Sequence, residues 1–112
     1  MRVLILGSAG MIGQKLIAKL VLQKSLNGKK IKELILFDVV NTPQIKNDDL
    51  KVQIKKGDLS DLSVSKDLIK DKPDVIFHLA AIVSGQAEKE FDLGWNINAK
   101  GSWNIFECIR AV

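Results

Sequence analysis

Three glycines at intervals of three, Gly7, Gly10 and Gly13, lie in "ILGSAGMIGQKL" between an apolar run and a helical pattern. Each answers a different need where a chain meets phosphate. At Gly7 the chain turns tightly out of a strand. At Gly10 a side chain would hold a pyrophosphate off the backbone, and at Gly13 one would push a helix off its sheet. The N–H groups of Met11 and Ile12 then point at the phosphates, helped by the helix dipole. A glycine-rich turn without a ligand has the same composition; the strand before and the helix after are the context a dinucleotide site requires. Asp38 ends a second apolar run 25 residues beyond Gly13. A carboxylate there can accept from both hydroxyls of an adenosine ribose and would repel a 2′-phosphate. Val39 and Val40 follow, with no Arg or Lys in the first loop, which favours NAD over NADP. The plainer role for Asp38 is to cap its own loop.

A second candidate is "GDLSD" at 57–61. Asp58 can accept from an adenine amino group while Leu59 packs on the ring. Alternatively Asp58 or Ser60 caps the helix that follows, and the two roles can coexist on different residues. His78, the single histidine, sits between Phe77 and Leu79 in an apolar run and reads as a core residue. Cys108 has no base near it in the pattern, so it reads as no nucleophile. The carboxylate pairs Asp48-Asp49 and Asp71/Asp74 read as solvated loop charges, and nothing has metal-ligand spacing, so no metal is expected.

The elements that position these residues follow from periodicity. "RVLILG" (2–7), "ELILFDV" (33–39) and "DVIFHLA" (74–80) are continuous apolar runs, the mark of strands buried on both faces. "KVQIKKGD" (51–58) is a shorter, more exposed strand. A helix starts at Met11, with apolar residues Ile12, Leu16 and Leu20 beside Ile17 and Val21, and Asn27-Gly28 is expected to end it. A short helix over 59–71 closes at Lys72-Pro73. A long helix is expected from Glu88 to Val112, with Gly94, Asn98, Gly101, Ile105 and Cys108 on one face and Phe91, Trp95, Ala99, Trp103 and Phe106 widening its apolar surface. The alternation predicts an α/β fold: a Rossmann-like doubly wound parallel sheet of strand order 3-2-1-4.

With 112 residues the chain is one domain's worth. No apolar run approaches the roughly 20 residues of a membrane span, so no membrane partner is expected. "VLILG" is too short for a signal peptide, and one cysteine fits a reducing cytoplasm. The net charge of +4 comes from scattered lysines without interleaved aromatics, which reads as solvated surface and not as a nucleic-acid face.

Residues 7–13 with Asp38, "GDLSD" and "HLAA" (78–81) resemble the extended short-chain dehydrogenase/reductases, which include the NAD-dependent epimerases and dehydratases. The resemblance covers essentially the whole chain and corresponds to the N-terminal half or less of a typical member, the NAD-binding Rossmann domain. The stretch "HLAAIVSGQAEKEFDLGWNINAKGS" (78–102) is similar to one branch, the D-erythronate dehydrogenases, which oxidise the 2-hydroxyl of a four-carbon sugar acid with NAD.

The resemblance implies that Gly7, Gly10, Met11, Ile12 and Gly13 hold the pyrophosphate, Asp38 the ribose, and Asp58 and Leu59 the adenine. Leu79, Ala80 and Ala81 would wall the cofactor. Asn98 matches the asparagine that holds a proton-relay water, or it is a buried structural residue; Ser84 receives no firm role. Leu6 and Met11 stand where the family more often has threonine and phenylalanine. The family's acid/base is a tyrosine, with a lysine one helical turn later. This chain contains no tyrosine, so residues 1–112 alone are expected to be inactive. The family also implies a homodimer that uses the last helix. Together with an apolar strand at the sheet edge, that aromatic helix predicts that residues 1–112 by themselves associate or aggregate. Three functions fit: the N-terminal portion of a dehydrogenase acting on a sugar acid, of an epimerase or dehydratase acting on a nucleotide sugar, or a short non-catalytic NAD-binding module.

Overall fold

A computed structural model describes residues 1–45, 49–80 and 95–112. The chain forms two compact units, Met1–Lys56 with Pro73–Leu79, and Gly57–Lys72 with Ala80–Val112.

The first unit is built on a parallel sheet. Its strands are β1 (Arg2–Leu6), β4 (Glu33–Asp38), β5 (Lys51–Lys56) and β6 (Val75–His78), in the order β5-β4-β1-β6. Counting only these four, that is the expected 3-2-1-4. Two of the three apolar runs became the interior strands: Val3, Leu4, Ile5 and Leu6 of β1 are fully buried, as are Leu34 and Leu36 of β4, while the third, β6, is at an edge. β5 takes an edge and carries Lys51, Lys55 and Lys56, charges that discourage pairing with a foreign strand. β6 takes the other edge and is half-buried along its whole length.

Helix α1 (Met11–Gln23) buries Gly13, Ile17 and Leu20, a spacing of four and three that defines one face. Ile17 and Leu20 enter the cluster of Val3, Ile5, Ile31, Leu34, Leu36 and Leu50. Burial at this level stabilises by about 1.5–3 kcal/mol per side chain. The helix ends earlier than expected. Lys24 adopts the left-handed conformation at φ 56° and its N–H closes on the Leu20 carbonyl at 2.8 Å. Asn27-Gly28, read from sequence as the helix terminus, instead forms a two-residue turn between β2 (Ser25–Leu26) and β3 (Lys29–Lys30), an antiparallel pair. With φ of 51° and 79°, both central residues have the positive sign that such a hairpin turn demands.

The register of β1 against β4 fixes what meets the glycine turn. Arg2 pairs with Glu33 and Leu6 with Phe37, in parallel, so the turn leaving β1 lies beside Asp38 at the end of β4. On the other side Leu6 pairs with His78, and the Leu79 N–H donates to the Leu6 carbonyl at 2.8 Å.

In the second unit, α2 (Leu62–Ile69) is capped by Asp61, whose carboxylate accepts from the Ser63 N–H at 2.9 Å and the Ser63 hydroxyl at 2.7 Å. Those bonds hold the Asp61 carboxyl below its usual pKa. The last helical segment is not one regular helix. A π-helical stretch spans Trp95–Gly101 before α3 (Ser102–Ala111). Gly101, Ile105 and Cys108 are buried as expected, but Asn98 is exposed. The shared face assumed α-helical spacing throughout; a stretch bonded i to i+5 rotates everything before it out of phase. Phe91 and Gly94 lie outside the described residues. Trp103 and Phe106, 66% and 63% exposed, supply the apolar excess expected of this helix. Among the described residues no helix is long and apolar enough to cross a membrane.

Candidate functional site

The turn between β1 and α1 is held by backbone. The N–H groups of Gly7 and Ser8 both donate to the Phe37 carbonyl, at 2.9 and 3.0 Å, and the Gly10 N–H donates to the Gly7 carbonyl at 3.2 Å. Gly7 has φ 93°, a conformation that side chains oppose. Gly13 has a different cause. A Cβ there would strike the Gly7 carbonyl oxygen and lie 3.0 Å from the Ser8 Cα, so α1 could not pack this close to the turn.

Gly10 has neither reason. Its φ of −74° and ψ of 169° are extended and open to any residue. Among the described residues a Cβ would meet only the Gly7 carbonyl oxygen, at an ordinary 3.4 Å. Nothing among the described residues forbids a side chain at Gly10, and the space in front of it is open. That space faces the start of α1. Gly10 supplies no side-chain cap, and the first turn carries no acidic residue. Asp61 caps α2 in this way; among the described residues no side chain caps the first turn of α1, an arrangement that suits an anion. Met11 and Ile12, 75% and 66% exposed, carry those donors.

Asp38 is held from three directions. Its Oδ2 accepts from the Ala9 N–H at 2.9 Å; its Oδ1 accepts from Val39 N–H at 2.7 Å and, more weakly, from Val40 N–H at 3.4 Å. The carboxylate expected from sequence to meet a ribose thus also caps its own loop, and the glycine turn orients it through the Ala9 N–H.

Three residues not singled out from the sequence complete this wall. Gln14 donates through Nε2 to the Ser8 carbonyl at 2.7 Å. The Ser8 and Thr42 hydroxyls lie 2.6 Å apart, in residues 0% and 6% exposed. A hydroxyl residue inside a glycine triplet was the one available signal for Ser8. Thr42 had none, standing in a polar loop 34 residues away.

Leu79, 37% exposed, lies beside Leu6 where β1 passes into the turn. Ala80 belongs to the second unit and is half-buried; Ala81 and Ser84 lie outside the described residues. Asp58 does not cap α2. Its Oδ1 accepts from the Ser60 N–H at 2.9 Å and the Ser60 hydroxyl at 2.8 Å, a local turn one step before the Asp61 cap. Leu59 is 3% exposed, so its side chain offers no face for a ring to lie on, against the expectation. Its carbonyl accepts from the buried Asn104 Nδ2 at 2.9 Å. Asn104 is thus a structural asparagine of this segment. His78 is half-buried and desolvation pushes its imidazole pKa down.

The family model of the NAD dependent epimerase/dehydratase family matches residues 3–112. The chain belongs to that family. Among curated members of the NAD dependent epimerase/dehydratase family and their relatives, the chain is similar to D-erythronate dehydrogenase from Cupriavidus necator, at 44% identity over 98% of this chain and 35% of the relative. In three dimensions it is similar to the nucleoside-diphosphate-sugar epimerase from Agrobacterium tumefaciens, with a TM-score of 0.94 and 42% identity over 99% of this chain and 32% of that one. A uronate dehydrogenase variant from the same organism, solved in complex with NAD, matches at TM-score 0.73 and 25% identity, covering 98% of this chain and 36% of its own. The chain thus spans about a third of the length of these relatives. The family's cofactor, NAD, fits the donor set here: uncapped helix N–H groups, an open Gly10 and an oriented Asp38.

Proposed function

We propose that this chain is the NAD-binding portion of an oxidoreductase that oxidises the 2-hydroxyl of a sugar acid such as D-erythronate. The observation that carries the cofactor half is the uncapped start of α1, which opens onto a glycine the fold itself does not require. The identity to D-erythronate dehydrogenase supports the substrate half. Gly7, Gly10, Met11, Ile12 and Gly13 bind the pyrophosphate, Asp38 orients the adenosine ribose, and Leu79, Ala80 and Ala81 flank the cofactor. Asp58 and the Leu59 backbone belong to the adenine. Bound NAD supplies the hydride acceptor. Asn98, exposed at the π-helical stretch, holds a water on the proton's way out. Residues 1–112 contain no tyrosine, so within them the reading assigns cofactor binding and not abstraction of the hydroxyl proton.

A second reading rests on the 42% identical solved structure, a nucleoside-diphosphate-sugar epimerase. The two separate in one assay. The full-length protein is expected to form NADH from D-erythronate and NAD, and to leave UDP-sugars unchanged. Interconversion of UDP-sugars without net NADH would move the assignment to the epimerases. The same reading carries a cytoplasmic homodimer, supported by the exposed Trp103 and Phe106 on α3 and by a single, buried Cys108. Sedimentation of the full-length protein as a monomer would remove the dimer.

A further inference from the structure

The loop that leaves β4 is fastened to the glycine turn twice. At its start, Asp38 takes the Ala9 N–H through Oδ2 and folds the Val39 and Val40 N–H groups back on Oδ1. At its end, the Thr42 hydroxyl meets that of Ser8 at 2.6 Å. Between the ties, Val39 and Val40 stand 56% and 55% exposed, an uncharged apolar rim that the core does not use. The second tie is buried, and each hydroxyl is the other's partner. A buried hydroxyl without a partner is costly, so the fold needs both or neither. Pro43 follows Thr42 and disfavours a helical backbone at that residue, which keeps the loop's end extended.

We infer that Thr42 is a positioning residue for the adenosine half of the dinucleotide. Its bond to Ser8 clasps the far end of the loop 39–41, so that Asp38 and the valine rim face the ribose as one preformed wall. The inference rests on the NAD reading and deepens it. The clasp acts on one end of the cofactor only. Its loss weakens ligands that carry adenosine and spares those that carry nicotinamide alone.

Four variants of the full-length protein separate positioning from mere stability: Thr42→Val, Ser8→Ala, the two combined, and Thr42→Ser. Urea midpoints are measured beside calorimetric affinities for NAD, AMP and nicotinamide mononucleotide. Thr42→Val strands the Ser8 hydroxyl and lowers the midpoint. The double variant removes both hydroxyls and recovers most of it. In both, affinity for NAD and AMP falls about three- to ten-fold, the scale of one lost hydrogen bond, while nicotinamide mononucleotide binds as before. Thr42→Ser behaves as wild type. If affinity recovers along with stability in the double variant, or if nicotinamide mononucleotide weakens as much as AMP, the pair is structural and the inference falls. A wild-type protein that binds neither NAD nor AMP overturns the NAD reading itself, and this inference with it.

Discussion

Gly10→Ser gives the sharpest test of the glycine turn, because it moves stability and binding in opposite directions. The backbone at Gly10, φ −74° and ψ 169°, is a conformation serine adopts at helix starts, and its Cβ would make only an ordinary contact with the Gly7 carbonyl oxygen. The new hydroxyl can accept from an N–H in the first turn of α1, which lacks a side-chain cap. Serine over glycine at this position is worth a few tenths of a kcal/mol (~0.3). Replacing glycine where the backbone already suits a side chain adds about 0.4–1 kcal/mol through the unfolded chain. A net gain of about 0.7–1.3 kcal/mol is expected. The same hydroxyl occupies the space and engages a donor reserved for phosphate, so NAD affinity should drop at least about ten-fold, or ~1.4 kcal/mol. Gly13→Ala is the control. Helix propensity favours alanine by about 1 kcal/mol, yet its Cβ meets the Gly7 carbonyl oxygen and the Ser8 Cα, both backbone atoms that cannot swing away. Overpacking of about 1–3 kcal/mol should win. Urea unfolding and calorimetric titration of both full-length variants are the measurements. A Gly10→Ser protein that keeps wild-type NAD affinity refutes the phosphate site; one that unfolds as easily as Gly13→Ala refutes the claim that the fold has no use for this glycine.

Asp38→Ala should weaken NAD by about 1.5–3 kcal/mol, the value of hydrogen bonds to a charged group, and NADP by much less, since repulsion of its 2′-phosphate is relieved; equal losses by titration would take Asp38 off the ribose. Burial alone would raise the Glu33 carboxyl, but the hydrogen bonds from Gln53 and Lys51 and the charges of Lys51 and Arg2 outweigh it and hold it below its ordinary 4.5. That stability is present above about pH 4.5 and is lost as pH falls through the lowered folded value. Glu33→Gln should therefore flatten the acid limb of a plot of unfolding free energy against pH, and an unchanged acid limb would contradict the assignment. Asn98→Ala should slow turnover of the full-length protein. Asn104→Ala should cost about 1–3 kcal/mol of stability, because it bares the Leu59 carbonyl; a reversed pattern in the two variants would exchange their roles.

The strand order was legible because apolar runs without alternation admit few placements, and β5, rich in lysine, could only be an edge. Asn27-Gly28 was misread for a definite reason. The dipeptide serves helix ends and hairpin turns alike, and β2 and β3, of two residues each, are too short to show periodicity. Asn98 was misplaced because spacing arguments assume one helical period, and no residue type in Trp95–Gly101 announces a π-helical stretch. Asn104 could have been found, since it lies three residues after the buried Gly101 and four before the buried Cys108, within the same face. The Ser8–Thr42 clasp could not, because nothing local ties two hydroxyls 34 residues apart.

Asp38 shows what a motif leaves out. From sequence its two roles, cap and ribose ligand, competed; in the structure the cap is already made, and the question becomes how much acceptor capacity is left. An ionised carboxylate offers about four lone-pair sites, and Ala9, Val39 and Val40 engage three N–H donors. One strong bond to a ribose hydroxyl can be added without displacing anything. A second requires that one donor yield, and the Val40 N–H at 3.4 Å is the weakest of the three and belongs to the exposed loop. On the proposed ribose role, recognition of both hydroxyls would draw on the loop as well as on the carboxylate. Loop residues that never touch the ribose can then tune the cofactor preference through Asp38.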